Sequence, residues 1–140
     1  MRNTLIDAGP LIALFNKSDQ YHLAAVRFLE DYNGYLITTW PVITEACHIL
    51  GFNVKCQLAL LEWVRRGGVR IFDLNESHLS RLIHLTEKYD DVPMDLADAS
   101  LIIASEETVC HKIASIDSDF YIYRDIRNKY LENVFGNNLG

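Results

Sequence analysis

The chain is poor in the features that mark unusual environments. Its three cysteines, Cys47, Cys56 and Cys110, are odd in number and form no C-x-x-C pair, so neither a disulfide framework nor a zinc site is supported and buried reduced thiols are expected. Three prolines and seven glycines are too few for a fibrous or low-complexity chain. No apolar run approaches the roughly 20 residues needed to cross a bilayer. Met1-Arg2-Asn3 leads into a short apolar run that meets Asp7 too soon for a signal peptide, and a soluble cytosolic protein is expected. Positive charge is also scarce: 13 Lys and Arg stand against 19 Asp and Glu, a formal net charge of −6. That balance argues against holding nucleic acid by bulk attraction, which needs clustered Lys and Arg. It does not exclude a nuclease, because a pocket of carboxylates around a divalent cation would account for most of the excess.

What is present suits one ordinary globular domain spanning residues 1–140, with 49% hydrophobic and 23% charged residues. Thr4-Leu5-Ile6 is expected as a strand, Asp7-Ala8-Gly9-Pro10 as a turn, and Leu11 to Phe15 as a helix. Leu23, Val26 and Leu29 mark a helix over 22–32, followed by a strand over Tyr35 to Thr39. Pro41 suits the first residue of a helix with Val42, Ala46, Ile49 and Leu50 on its apolar face and Gly51 at its end. Further helices are expected over 58–64, 79–85 and 94–107, and strands over 69–72 and 112–116. The stretch from Tyr121 to Gly140 reads as a short strand or two and a loose tail. Strands alternating with helices along the chain indicate an α/β domain with a mainly parallel sheet.

In such sheets ligands bind beyond the carboxyl ends of the strands, and two acids stand there: Asp7 after the first strand and Asp117 after the run Ile113 to Ile116. The plainer explanation is that each caps the turn or helix that follows. Glu45 falls within the apolar stripe formed by Val42, Ala46 and Ile49, where a charge needs a partner unless its head reaches solvent. Residues 95–104 are apolar on nearly every side, as in a buried helix, yet carry Asp95 and Asp98 at i and i+3. Asp95 suits a cap, whereas Asp98 lies deeper. Asp119, close behind Asp117, adds a further acid.

Gathered in one pocket these carboxylates would repel one another and take up protons unless a cation were present. Mg²⁺ or Mn²⁺ suits such oxygen ligands and keeps waters that can be activated. His22, His48, His78, His84 and His111 show no metal-ligand spacing, and no nucleophile elbow, dinucleotide fingerprint or Walker loop occurs.

The segments Leu5-Ile6-Asp7-Ala8-Gly9-Pro10-Leu11-Ile12-Ala13-Leu14, Asp19-x-x-His22, Thr44-Glu45-Ala46, Pro93-Met94-Asp95-Leu96-Ala97-Asp98-Ala99-Ser100-Leu101 and Ser115-Ile116-Asp117-Ser118-Asp119-Phe120, in this order and at these intervals, resemble the PIN domain. Within it they resemble the VapC-type toxins of bacterial and archaeal toxin–antitoxin pairs. The resemblance implies a three-layer α/β fold with a parallel central sheet flanked by helices. It also implies a Mg²⁺- or Mn²⁺-dependent ribonuclease whose four acids match Asp7, Glu45, Asp98 and Asp117, with Asp95 and Asp119 as assisting neighbours. Asp7 and Asp98 would be the principal metal ligands. A homodimer blocked by a cognate antitoxin is implied as well. Ser115 stands where threonine is more usual, and keeps the hydroxyl.

Contacts to RNA would fall to Arg65, Arg66, Arg70, Arg124, Arg127 and Lys129, unless these are simply solvated surface charges. One rival is the same fold with a weak site acting as a binding module, and another is a housekeeping nuclease without an antitoxin. A phosphoacceptor receiver domain would need paired acids before the first strand's Asp, where Arg2-Asn3 stand. An Asp-nucleophile phosphatase would need a second acid within Asp7-Ala8-Gly9.

Overall fold

The computed structural model describes residues 2–92, 94–117, 120 and 122–136. The first strand, β1 (Asn3–Ile6), buries Thr4, Leu5 and Ile6 in succession, as a strand covered on both faces does. Asp7 is extended and caps α1 (Ala8–Phe15) at once, so the expected turn over 7–10 is instead the helix's first turn. Pro10 is tolerated there because first-turn N–H groups have no carbonyl partner within the helix. The chain continues through α2 (His22–Asp31), β2 (Tyr35–Thr38) and α3 (Trp40–Ile49), which has Pro41 in its first turn. A 3₁₀ turn at Leu50–Phe52 leads into α4 (Val54–Arg65) and β3 (Arg70–Ile71). A second 3₁₀ turn at Glu76–His78 precedes α5 (Leu79–Lys88), then α6 (Leu96–Thr108), β4 (Lys112–Ala114) and β5 (Glu132–Asn133). The expected loose tail at 137–140 lies outside the described residues.

Four further sequence expectations are corrected. The helix expected from Leu58 begins at Val54, because the Asn53 side chain accepts the Lys55 N–H and caps it there. In α2 the core face is Ala25 and Phe28, while Leu23 is 66% exposed. A spacing of three drifts around a helix, so Leu23 and Leu29 cannot both face the core. Ile49, assigned to the buried stripe of α3, is 49% exposed where that helix gives way to the 3₁₀ turn. The thiols are free, with Cys110 buried and Cys47 and Cys56 half-buried rather than buried.

The sheet runs β3-β2-β1-β4-β5 with every pairing parallel, and the helices flank it. Leu5 pairs with Ile37 on one side and Ile113 on the other. From β1 the chain builds outward to β3, then returns to the opposite side of β1 for β4 and β5. The β1/β4 pair is therefore the switch point, where a crevice opens beyond the carboxyl ends of the strands. The helix α6 is buried continuously from Ala97 to Ser105, which makes it the central helix of the core. Among the described residues no helix is long and apolar enough to cross a membrane.

Candidate active site

A cleft of about 290 Å³ opens at this switch point, and its walls include Asp7, Gly9, Glu45, Asp95, Asp98 and Asp117. Five of the six acids singled out in the sequence thus border one space, and Asp119 lies outside the described residues. They arrive from four parts of the chain. Asp7 follows β1 directly, and its main-chain N–H continues the sheet by donating to Ala114 O at 3.0 Å. Glu45 projects from the middle of α3, Asp95 caps α6, Asp98 lies in the first turn of α6, and Asp117 follows β4. Gly9 lets the elements close in, since a Cβ there would stand 3.2 Å from the Ile116 side chain behind β4.

The two deepest acids are held in place. The Asp7 carboxylate accepts from Ala8 N–H at 2.8 Å through Oδ1 and from the Ser115 hydroxyl at 3.1 Å through Oδ2. Ser115 Oγ also accepts the Asp117 N–H at 2.9 Å, so this serine joins the first acid to the fourth. Ser115 is itself braced by Asn133 of β5: the Asn133 amide donates to Ser115 O at 2.9 Å, and its carbonyl accepts Ser115 N–H at 3.2 Å. Asp98 Oδ2 accepts from the hydroxyl of Tyr123, a fully buried ring, at 3.2 Å. Asp95 caps α6 by accepting the Asp98 N–H at 2.8 Å. Its capping role and its place on the cleft wall therefore coexist.

Burial and mutual repulsion set the charge state. Burial raises Asp7 from 3.8 to about 6 against the hydrogen bonds from Ala8 and Ser115. Asp98 is raised further, to about 8, by burial first and then by the charges of Asp95, Asp7 and Asp117. Glu45 is raised by burial and by Asp95 and Asp117. Among the described residues lining the cleft there is no Lys, Arg or His to compensate.

Nor are three carboxylate, imidazole or thiolate groups among the described residues drawn together tightly enough to cage an ion as they stand. The donor set still fits a hard divalent cation of the Mg²⁺ type, which is held by one or two carboxylates and keeps several of its waters. The buried, uncompensated Asp7 and Asp98 are the groups with most to gain from one.

The sequence-level candidates for RNA contact do not line the cleft. Arg65 and Arg66 both close on Glu62 of α4, Arg70 lies 3.5 Å over the Tyr35 ring, and Arg124 lies 4.8 Å over that of Tyr130. Arg127 and Lys129 are exposed, and their main-chain N–H groups bond to Asp125. Two histidines stand away from the acids: His22 bonds to Ala13 O at 2.8 Å, and His78 closes its own 3₁₀ turn and faces Glu107. His48, one turn after Glu45 on α3, instead lines an open groove beside the cleft together with Glu45 and Asp95. Tyr123 and Asn133, which touch the acid framework, carried no signal in the sequence. They reach it only through tertiary packing of the C-terminal segment.

Comparison with known proteins agrees with this architecture. The family model of the PIN domain matches residues 4–126. No curated protein sequence matches significantly. Among solved structures the chain is similar to Mycobacterium tuberculosis VapC20, described as a Sarcin-Ricin loop cleaving toxin. The TM-score is 0.76 at 17% identity, over 85% of this chain and 93% of that one. At that identity the likeness is one of fold.

Proposed function

The chain belongs to the PIN domain family, and from that membership we propose that it is a metal-dependent endoribonuclease of the VapC toxin type, acting on single-stranded or looped RNA. The observation that carries the reading is the convergence of Asp7, Glu45, Asp98 and Asp117 on one switch-point cleft that has no basic residue among its described walls. Asp7 and Asp98 would hold Mg²⁺ or Mn²⁺ directly, with Glu45 and Asp117 acting directly or through water and Asp95 assisting. When bound, the cation supplies Lewis acidity to a water and to the phosphate oxygens.

The chain's own groups do the rest. Ser115 and Ala8 N–H fix the Asp7 carboxylate, while Tyr123 fixes that of Asp98. Glu45, half-buried, or Asp117, exposed, would take a proton from the attacking water. The water oxygen bonds to phosphorus as the bond to the 3′ oxygen breaks, and the departing oxygen collects a proton. The products carry 5′-phosphate and 3′-hydroxyl ends. A cytosolic homodimer restrained by an antitoxin completes the reading.

The test is cleavage of end-labelled RNA by purified protein in Mg²⁺, in Mn²⁺ and in chelator, with Asp98→Asn alongside. The expected result is cleavage that needs metal and falls by at least about a hundredfold in the variant while its melting curve stays cooperative. Equal cleavage by both proteins would sink the assignment. RNA binding without cleavage at any metal concentration would favour the binding-module reading.

A further inference from the structure

Beside the acid cleft, and sharing Glu45 and Asp95 with it, lies a second and more open groove of about 590 Å³. One side is a single stripe of α3, on which Trp40, Thr44 and His48 recur every four residues, with Pro41 between. The other side is the start of α6, where Leu96 follows the Asp95 cap. Trp40 is 56% exposed and Leu96 57%, so two large apolar side chains face solvent at the border of the acid pocket.

The indole is carried on a fixed base. Thr39, which precedes it, shares a 2.6 Å hydroxyl contact with Ser100 deep in α6, and Thr44 Oγ donates to Trp40 O at 2.9 Å. Among the described residues the groove has no Lys or Arg, and its fixed charges are Glu45 and Asp95. Such a surface repels phosphate but accepts a flat, neutral ring. Because Glu45 and Asp95 line both spaces, the groove adjoins the acid cleft, and a base next to a phosphate held in the cleft is within reach of it.

We propose that this groove is a nucleobase subsite, in which Trp40 stacks on an unpaired base adjoining the scissile phosphate and Leu96 closes the opposite side. His48, Thr44 and the Glu45 carboxylate stand at the rim, where the edge of the base can be hydrogen-bonded. An unpaired base is required because a duplex covers both faces of each base. The inference rests on the ribonuclease reading and adds the determinant that selects single-stranded substrate.

Two variants and two probes test it. Trp40→Phe keeps a ring and Trp40→Ala removes it. The probes are a short labelled single-stranded RNA and the same sugar–phosphate backbone without bases, both titrated in Ca²⁺. In wild type, RNA should quench indole fluorescence over the constant background of half-buried Trp63, and the abasic strand should not. Trp40→Phe should lose the quenching yet bind RNA within about twofold of wild type, whereas Trp40→Ala should bind it about tenfold more weakly. Neither change should alter binding of the abasic strand or the melting temperature.

Equal weakening on both probes, no weakening on either, or an indole response to a protein partner but not to RNA would overturn the subsite. A wild-type protein that cleaves RNA while Trp40→Ala cleaves it with unchanged KM would remove the subsite alone. A wild-type protein that neither binds nor cleaves RNA would remove the ribonuclease reading with it.

Discussion

A carboxyl group buried among other acids keeps its proton until a cation takes the proton's place, and Asp98 is in that position. Its pKa of about 8 and that of Asp7, about 6, both lie above the ordinary 3.8 that each would have in the unfolded chain. A raised folded-state pKa contributes stability that is complete below the unfolded value and is lost as pH rises through the folded one. The metal-free protein should therefore lose stability stepwise as pH climbs from about 4 through 6 and then 8. Added Mg²⁺ should raise the melting temperature more at pH 8 than at pH 5. Thermal melts in chelator and in Mg²⁺ across this range check both signs, and a metal-free protein that gains stability between pH 6 and 8 would contradict the burial of these two acids. Tyr123→Phe keeps the ring packed edge-on against Tyr89 and Phe120 but deletes the hydroxyl on Asp98. It should cost about 1 kcal/mol of stability and about tenfold in metal affinity, measured by calorimetric titration. The acid itself was legible, because a charge inside a helix apolar on every side demands an explanation. The tyrosine was not, because an aromatic in an aromatic-rich stretch has many reasons to be buried, and its contact joins segments far apart in sequence.

At the scale of elements, the chain breaks a local rule at the end of α6. Val109, the C-cap, is left-handed at φ 51 and ψ 47, although β-branched residues strongly disfavour that region and glycine is the usual occupant. The helix must stop there and turn sharply, because Cys110 is drawn into the core, with its N–H and C=O bonded to Ser105 O and Ser105 Oγ, before β4 begins. Val109 is 65% exposed, so its side chain contributes little packing in return. Val109→Gly should stabilise the fold by about 1 kcal/mol, the relief of backbone strain less the added freedom of the unfolded chain. Urea unfolding with an unchanged slope checks it, and destabilisation would mean that the valine side chain packs more than its exposure implies. Among the described residues, periodicity made the six helices and the first four strands legible, with errors at their ends where side-chain caps such as Asn53 decide the boundary. The two-residue strand β5 was not legible as a definite element. Its register comes from pairing beside Lys112 and Ile113, and from the Asn133 amide bonding to Ser115 in place of backbone, which no local pattern encodes.

For the whole molecule, alternation along the chain reveals a parallel sheet but not the order of its strands. The return of β4 to the side of β1 brings Ser115 and Asp117 to Asp7; had β4 been added outside β3, the same acids would lie two strands further away. Net charge was readable from composition, and the structure adds where the cations are engaged: Arg65 and Arg66 on Glu62, Arg81 on Glu106, and Arg70 and Arg124 over tyrosine rings. None of these five cations lines the acid cleft, so RNA contact there is expected to rest on a divalent ion rather than on Lys or Arg. Each phosphate neutralised on a single strand contributes about 0.7 to the slope of log affinity against log salt. With three or fewer such contacts, raising monovalent salt from about 50 to about 200 mM at fixed Mg²⁺ should weaken RNA binding by about twentyfold at most. A basic RNA-binding face would lose several hundredfold over the same range. Titrations at four salt concentrations distinguish the two. A steep slope would show that the arginines leave their present partners when RNA arrives, so that the acidic balance of the free chain misstates the surface RNA meets.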